Sequence, residues 1–179
     1  MARRGWRRER GMRVNETDDE REDAAPIDML ESYFAAHGWD HERQDEEVVA
    51  RVKGSWTQYE LRALWREEDS VLQFLAFPDI RVTDERRVAI YEAIGLVNEQ
   101  LWIGHFELWS SSGILLYRHA AMIEGEEGAA LSLGAAELII ESAIDECERF
   151  YPVFQFVMWG GKSPKEALAA ALTETQGEA

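Results

Sequence analysis

Four groups of residues have types and spacings that could do chemistry. The first is "WGGKSP", Trp159 to Pro164, whose Gly161-Lys162-Ser163 matches the end of a phosphate-binding loop. Such a loop needs another glycine five residues before the Gly of Gly-Lys-Ser, because consecutive backbone N–H groups must wrap the phosphate. Phe156 stands there instead, and Pro164 removes an N–H where the following helix would begin. The alternative reading is structural: Gly160 and Gly161 stop a helix, Ser163 caps the next, Pro164 takes its first position and Glu166 completes a capping box.

The four histidines, His37, His41, His105 and His119, are the second group. His105 and His119 can approach across a hairpin, but two imidazoles without a positioned carboxylate or thiolate make a poor zinc site. Cys147 lies on an apolar helical stripe and reads as a small core residue; as a lone cysteine it has no internal disulfide partner. Glu141, Asp145 and Glu148 recur at i, i+4 and i+7, a carboxylate stripe that is either a solvated helix face or a dock for a basic partner. No Gly-x-Ser-x-Gly or other nucleophile-base pattern occurs, so an enzyme is not expected and no cofactor or metal is implied. Of the seven tryptophans, Trp65 and Trp109 fall near strand ends, where an indole serves either the core or an interface.

These groups must be positioned by a chain of 179 residues, enough for one domain. The net charge is −16, yet Met1 to Arg13 holds six arginines against Glu9, a balance of +5 that leaves −21 on the rest. That acidity repels nucleic acid and anionic membrane and favours basic partners. Nucleic acid could be engaged only through the arginine segment, which reads as part of a disordered charged tail over 1–25; Met12 offers an alternative start. No run is long and apolar enough to span a membrane and no signal-type apolar stretch follows the arginines, so a cytoplasmic protein is expected.

From Pro26, Ile27, Leu30 and Phe34 recur at helical spacing up to Gly38. Strand-like runs follow in 39–54, 56–67 and 71–77, the middle one alternating with period 2, separated by polar turns at 53–55 and 67–70. Thr83 is placed to cap a helix through about Trp102, with Ile90, Ile94, Val97 and Leu101 on one face and Gly104 as its stop. "HFELW" and "ILLYRHA" flank a turn at Ser110 to Gly113. After the loop "EGEEG", Ser132 caps a long helix that Pro152 should kink. The order α-β-β-β-α-β-β-α gives a single 26–179 domain of the α+β class, an antiparallel five- or six-stranded sheet with helices packed on one face.

"NEQLWIGHFELW", with the return strand "LLYRH", resembles the YbjN family of bacterial sensory transduction regulators. "PIDMLESYFAAHGW", "FPDIRV" and "FVMWGGKSPKEAL" are similar to its alphaproteobacterial branch. The resemblance spans roughly Pro26 to Leu172, and Asn98, Gly104, Phe106 and Gly161 fall on its recurring positions. It implies a fold similar to type III secretion chaperones, small acidic dimers that bind extended segments of other proteins, and it carries no catalytic residues. The expected function is therefore a non-enzymatic homodimeric regulator or chaperone-like protein binding a protein or peptide, in stress or signalling regulation. The alternatives are a nucleic-acid regulator acting through the arginine tail and a small-ligand-binding protein.

Overall fold

The computed structural model describes residues 25–123 and 130–175; the arginine-rich segment and the "EGEEG" loop lie outside the described residues. Helix α1 (Pro26–Ala36) is followed by strands β1 (Asp40–Gln44), β2 (Glu47–Lys53), β3 (Gln58–Arg66) and β4 (Val71–Phe77). Helix α2 (Arg87–Asn98), the hairpin β5 (His105–Trp109) and β6 (Ile114–Met122), and helices α3 (Leu133–Met158) and α4 (Pro164–Thr175) complete the order. The six strands form one antiparallel sheet in the order β1-β2-β3-β4-β6-β5.

The sequence merged β1 and β2 into one run. They separate at Asp45, whose φ of 50° turns the chain. Helix α2 is also shorter than its apolar spacing suggested: residues 84–86 form a 3-10 turn that uses no Thr83 side-chain cap, and the helix ends at Asn98 rather than near Trp102. Two helix stops follow the glycine logic closely. After α1, Gly38 takes φ +68° and Trp39 N–H reaches back to the Phe34 carbonyl at 3.0 Å; after α3, Gly161 takes φ +66° and Lys162 N–H reaches Phe156 O at 3.3 Å. Ser132 Oγ accepts the Ala135 N–H at 3.2 Å, capping α3 as expected.

Alternation along β3 divides the two sheet faces. Tyr59, Leu61, Ala63 and Trp65 are buried and belong to the same core as Phe34, Phe74, Phe106, Phe150 and Phe154 from the helices and neighbouring strands. The opposite face carries Gln58, Glu60, Arg62, Leu64 and Arg66 on β3. There Leu75 and Leu116 are 5% and 0% exposed, yet neither belongs to the helix-facing core. Register places them with Arg62, Phe77, Glu107 and Arg118, so side chains of the sheet itself shield them, as long arginine stems can. Among the described residues, no helix packs over this face.

Helix α3 runs through Pro152 without a break in assignment. Proline has no N–H to give the carbonyl four residues earlier, that of Glu148. The indole Nε1–H of Trp56, at the tip of the β2–β3 hairpin, donates to that oxygen at 3.1 Å, and the ring stacks on Tyr151 with centroids 6.0 Å apart. A defect in the helix ladder is thus answered from another element.

Candidate functional site

"WGGKSP" is a helix stop followed by a helix start. Ser163 N–H donates to Glu166 Oε2 at 3.0 Å, Glu166 N–H donates to Ser163 Oγ at 3.4 Å, and Lys162 Nζ lies over the Phe156 ring at 5.4 Å. Of the backbone amides that would cradle phosphate, Ser163 N–H is spent on Glu166, and those of Gly160 and Lys162 on the Gln155 and Phe156 carbonyls. The two hairpin histidines are separated by the pleat: His105 pairs with Arg118 and so shares the helix-free face, while His119 lies on the other. Among the described residues, no three His, Cys, Asp or Glu side chains are grouped to hold a metal ion. Cys147 is buried in the core, and burial above all pushes its thiol up, away from the reactive thiolate.

The acidic stripe of α3 divides in function. Glu141 accepts the Tyr33 hydroxyl at 3.2 Å; burial first, then Glu141, pushes that phenol up to about 12. Asp145 is raised by partial burial and by Glu141 and Glu148, and neither Glu141 nor Asp145 has an ion pair among the described residues. Glu148 has become a clasp, its Oε1 accepting Ser55 N–H from the hairpin at 2.8 Å. Gly54 makes room for this, since a Cβ there would collide with the Glu148 carboxylate and the Tyr59 ring.

The two tryptophans part as well. Trp65, 5% exposed, lies in the core beneath the helices. Trp109 pairs with Ile114 on the helix-free face, packs edge-on to Phe77 at 5.7 Å, and donates to Glu107 Oε1 at 2.7 Å. Glu107 also receives Arg118 at 2.7 Å, so the indole is held in one orientation.

Beside Trp109 a groove of about 350 Å³ opens, with Phe77 and Ile114 in its lining and Arg51, Arg62 and Arg81 around it. It exists because β4 ends at Phe77. Pro78 cannot donate to the ladder, and residues 80–82 swing over to β6, where Val82 N–H bonds Gly113 O at 2.7 Å and Leu115 N–H bonds Ile80 O at 3.2 Å. Gln58 and Tyr59 therefore pair with β2 on one side and, among the described residues, have no strand partner on the other. Arg62 stands as one wall, its guanidinium 5.3 Å from the Phe77 centroid and bonded to Glu60 Oε1 through Nε at 2.8 Å and Nη2 at 2.6 Å. Sequence reasoning found Trp109 and missed the arginines, which fall on the polar phase of β2 and β3 and on a loop.

The family model for YbjN, described as "Putative bacterial sensory transduction regulator", matches residues 26–156. The chain belongs to the YbjN family. That description names a regulator and no reaction. In this YbjN-family chain the hairpin is locked to α2 by one side chain: Asn98 Oδ1 accepts Phe106 N–H at 2.8 Å while Nδ2 donates to Phe106 O at 3.0 Å. Gly104, at φ +66°, lets the Tyr117 hydroxyl pass close enough to donate to Ile103 O at 2.7 Å. The crystal structure of YbjN from E. coli, a putative transcription regulator, is similar at 7% identity, covering 68% of this chain and 85% of that one, with a TM-score of 0.49. The crystal structure of the ExsC-ExsE complex is similar at 16% identity, covering 76% of this chain and 94% of the other, with a TM-score of 0.44. No curated protein matches the sequence.

Proposed function

We propose that this YbjN-family chain, of the alphaproteobacterial type, is a cytoplasmic regulator that works as a homodimer by binding a segment of another protein, in bacterial stress or signalling regulation. The observation that supports this is the helix-free sheet face: it buries Leu75 and Leu116 beneath its own side chains and presents an aromatic-floored groove with a fixed indole, Trp109. Trp109 is the contact residue in this reading, and Trp65 supports the sheet from behind. Glu141 and Asp145 form a second, acidic strip on the helix layer, suited to a basic segment, while Glu148 keeps the hairpin in place. The charge of −16 disfavours nucleic acid as the partner.

A photoreactive residue at Trp109 in the native host tests the reading, with the same residue at exposed Lys165 on α4 as control. One protein, identified by mass spectrometry, should crosslink from position 109 and not from 165, and light scattering should give twice the 20.5 kDa chain mass. A strict monomer whose two positions crosslink the same background would sink it.

A further inference from the structure

We propose that the groove beyond the end of β4 receives a short acidic peptide segment, with an apolar side chain seated against Phe77 and Trp109 and the flanking carboxylates held by Arg51 and Arg81. This rests on the reading of the helix-free face as the partner surface, and adds the chemistry of the partner.

The charge balance carries the inference. Acidic residues outnumber basic ones 35 to 19 in the whole chain, whereas the groove reverses this, with Arg51, Arg62 and Arg81 against Glu60 and Asp79. The three arginines are not equivalent. Arg62 is already paired with Glu60 and, at 3.5 Å, with Glu47, and serves as an aromatic-stacked wall. Among the described residues, Arg51 reaches only Asp40, at 3.5 Å with 44% of its side chain exposed, and Arg81 is exposed with no ion pair. Two guanidinium groups with free donors therefore stand at the rim, and a planar guanidinium receives a carboxylate through two parallel hydrogen bonds.

The space suits a side chain or two: about 350 Å³ is at the small end of ligand sites. The unpaired edge at Gln58 and Tyr59 suits an extended backbone laid beside it. Length separates a peptide from nucleic acid. A polyanion must cross surface beyond the groove that carries most of the chain's negative charge, whereas a short segment feels the field within a screening distance of about 8 Å.

The test is binding of three labelled probes to the full chain by fluorescence anisotropy: a short peptide alternating leucine and phenylalanine with aspartate, its counterpart with lysine for aspartate, and a single-stranded oligodeoxynucleotide. The acidic peptide should bind tightest, against the sign of the net charge. Arg81→Glu and Arg51→Glu should each weaken it about tenfold, Trp109→Ala should weaken it too, and Lys165→Glu, the same charge change on α4, should alter it less than about twofold. Acidic-peptide binding that survives both groove reversals belongs elsewhere, to the arginine segment for instance, and overturns the proposal. Tighter binding of the lysine peptide, lost in Trp109→Ala, overturns the acidic assignment while leaving the groove as a partner surface. Binding of the oligonucleotide alone overturns both readings.

Discussion

Pro152 and Trp56 should be energetically coupled although they lie on different elements. Trp56→Phe keeps a ring to stack on Tyr151 but removes the N–H that reaches Glu148 O at 3.1 Å. With proline at 152 that carbonyl has no helical donor, so the substitution should cost about 1 kcal/mol, a typical net hydrogen bond at a position water can reach. Pro152→Ala restores the helix N–H. Relieving an interior proline is worth up to about 3 kcal/mol, and losing two buried methylenes costs about 1.6 kcal/mol, so this variant should be stabilised by about 1 kcal/mol. In the Pro152→Ala background the indole N–H is redundant, and Trp56→Phe should cost only about 0.3 kcal/mol or less. The four proteins of this cycle, unfolded in urea and followed by far-UV circular dichroism, should therefore show a coupling of about 1 kcal/mol. Additivity to within about 0.3 kcal/mol would mean that the Glu148 carbonyl is simply hydrated and that the indole is there for its ring alone.

Asn98→Ala leaves the buried Phe106 N–H and C=O without partners, and should cost about 2–4 kcal/mol, lowering the melting temperature by roughly 4–16 °C in a scan. Gly104→Ala combines a left-handed backbone with loss of the Tyr117 to Ile103 hydrogen bond; a loss of about 2–4 kcal/mol in urea unfolding is expected, and an unchanged midpoint would contradict the close approach. Glu148→Ala should cost about 1 kcal/mol and speed amide exchange at Ser55, while the Tyr59 phenol, raised first by burial and then by Glu148, titrates lower. Glu146 is raised above 4.5 by burial, with Arg149 opposing and Asp145 adding to the rise. The folded state therefore holds its proton more tightly than the unfolded chain, so its contribution is full below 4.5 and is lost as pH rises through the folded value. Glu146→Gln should flatten the decline in stability just above pH 4.5, and an unchanged slope would show that the group is hydrated.

The sheet was legible wherever one face is buried. Tyr59, Leu61, Ala63 and Trp65 announce β3 because the pleat sends alternate residues to the core. Asp40 to Gln44 carry no such pattern; β1 is a strand because β2 offers it a ladder, which is a tertiary cause. In α2 the apolar spacing runs on to Leu101, but Asn98 gives its side chain to Phe106 and the chain leaves the helix there. At the site, sequence reasoning leaves Trp65 open between core and interface although it is in phase with Tyr59, Leu61 and Ala63, which the structure buries with it, whereas the face of Trp109 depends on the register of β5 with β6. The groove was not readable at all, since it arises where β3, residues 79–82 and β6 meet around a strand that proline has cut short.

The shield over Leu75 and Leu116 has a kinetic consequence. Register sets sheet side chains around the two leucines and, among the described residues, no helix lies over them, so under the proposed binding mode a partner would gain the apolar surface by turning rotamers, motions of picoseconds to nanoseconds. Encounter, rather than an opening step, then limits association, and the backbones of the free and occupied sheet should superpose within about 1 Å. Residence time, set by how firmly the arginines close again over what has bound, is where selection for one partner over another would act.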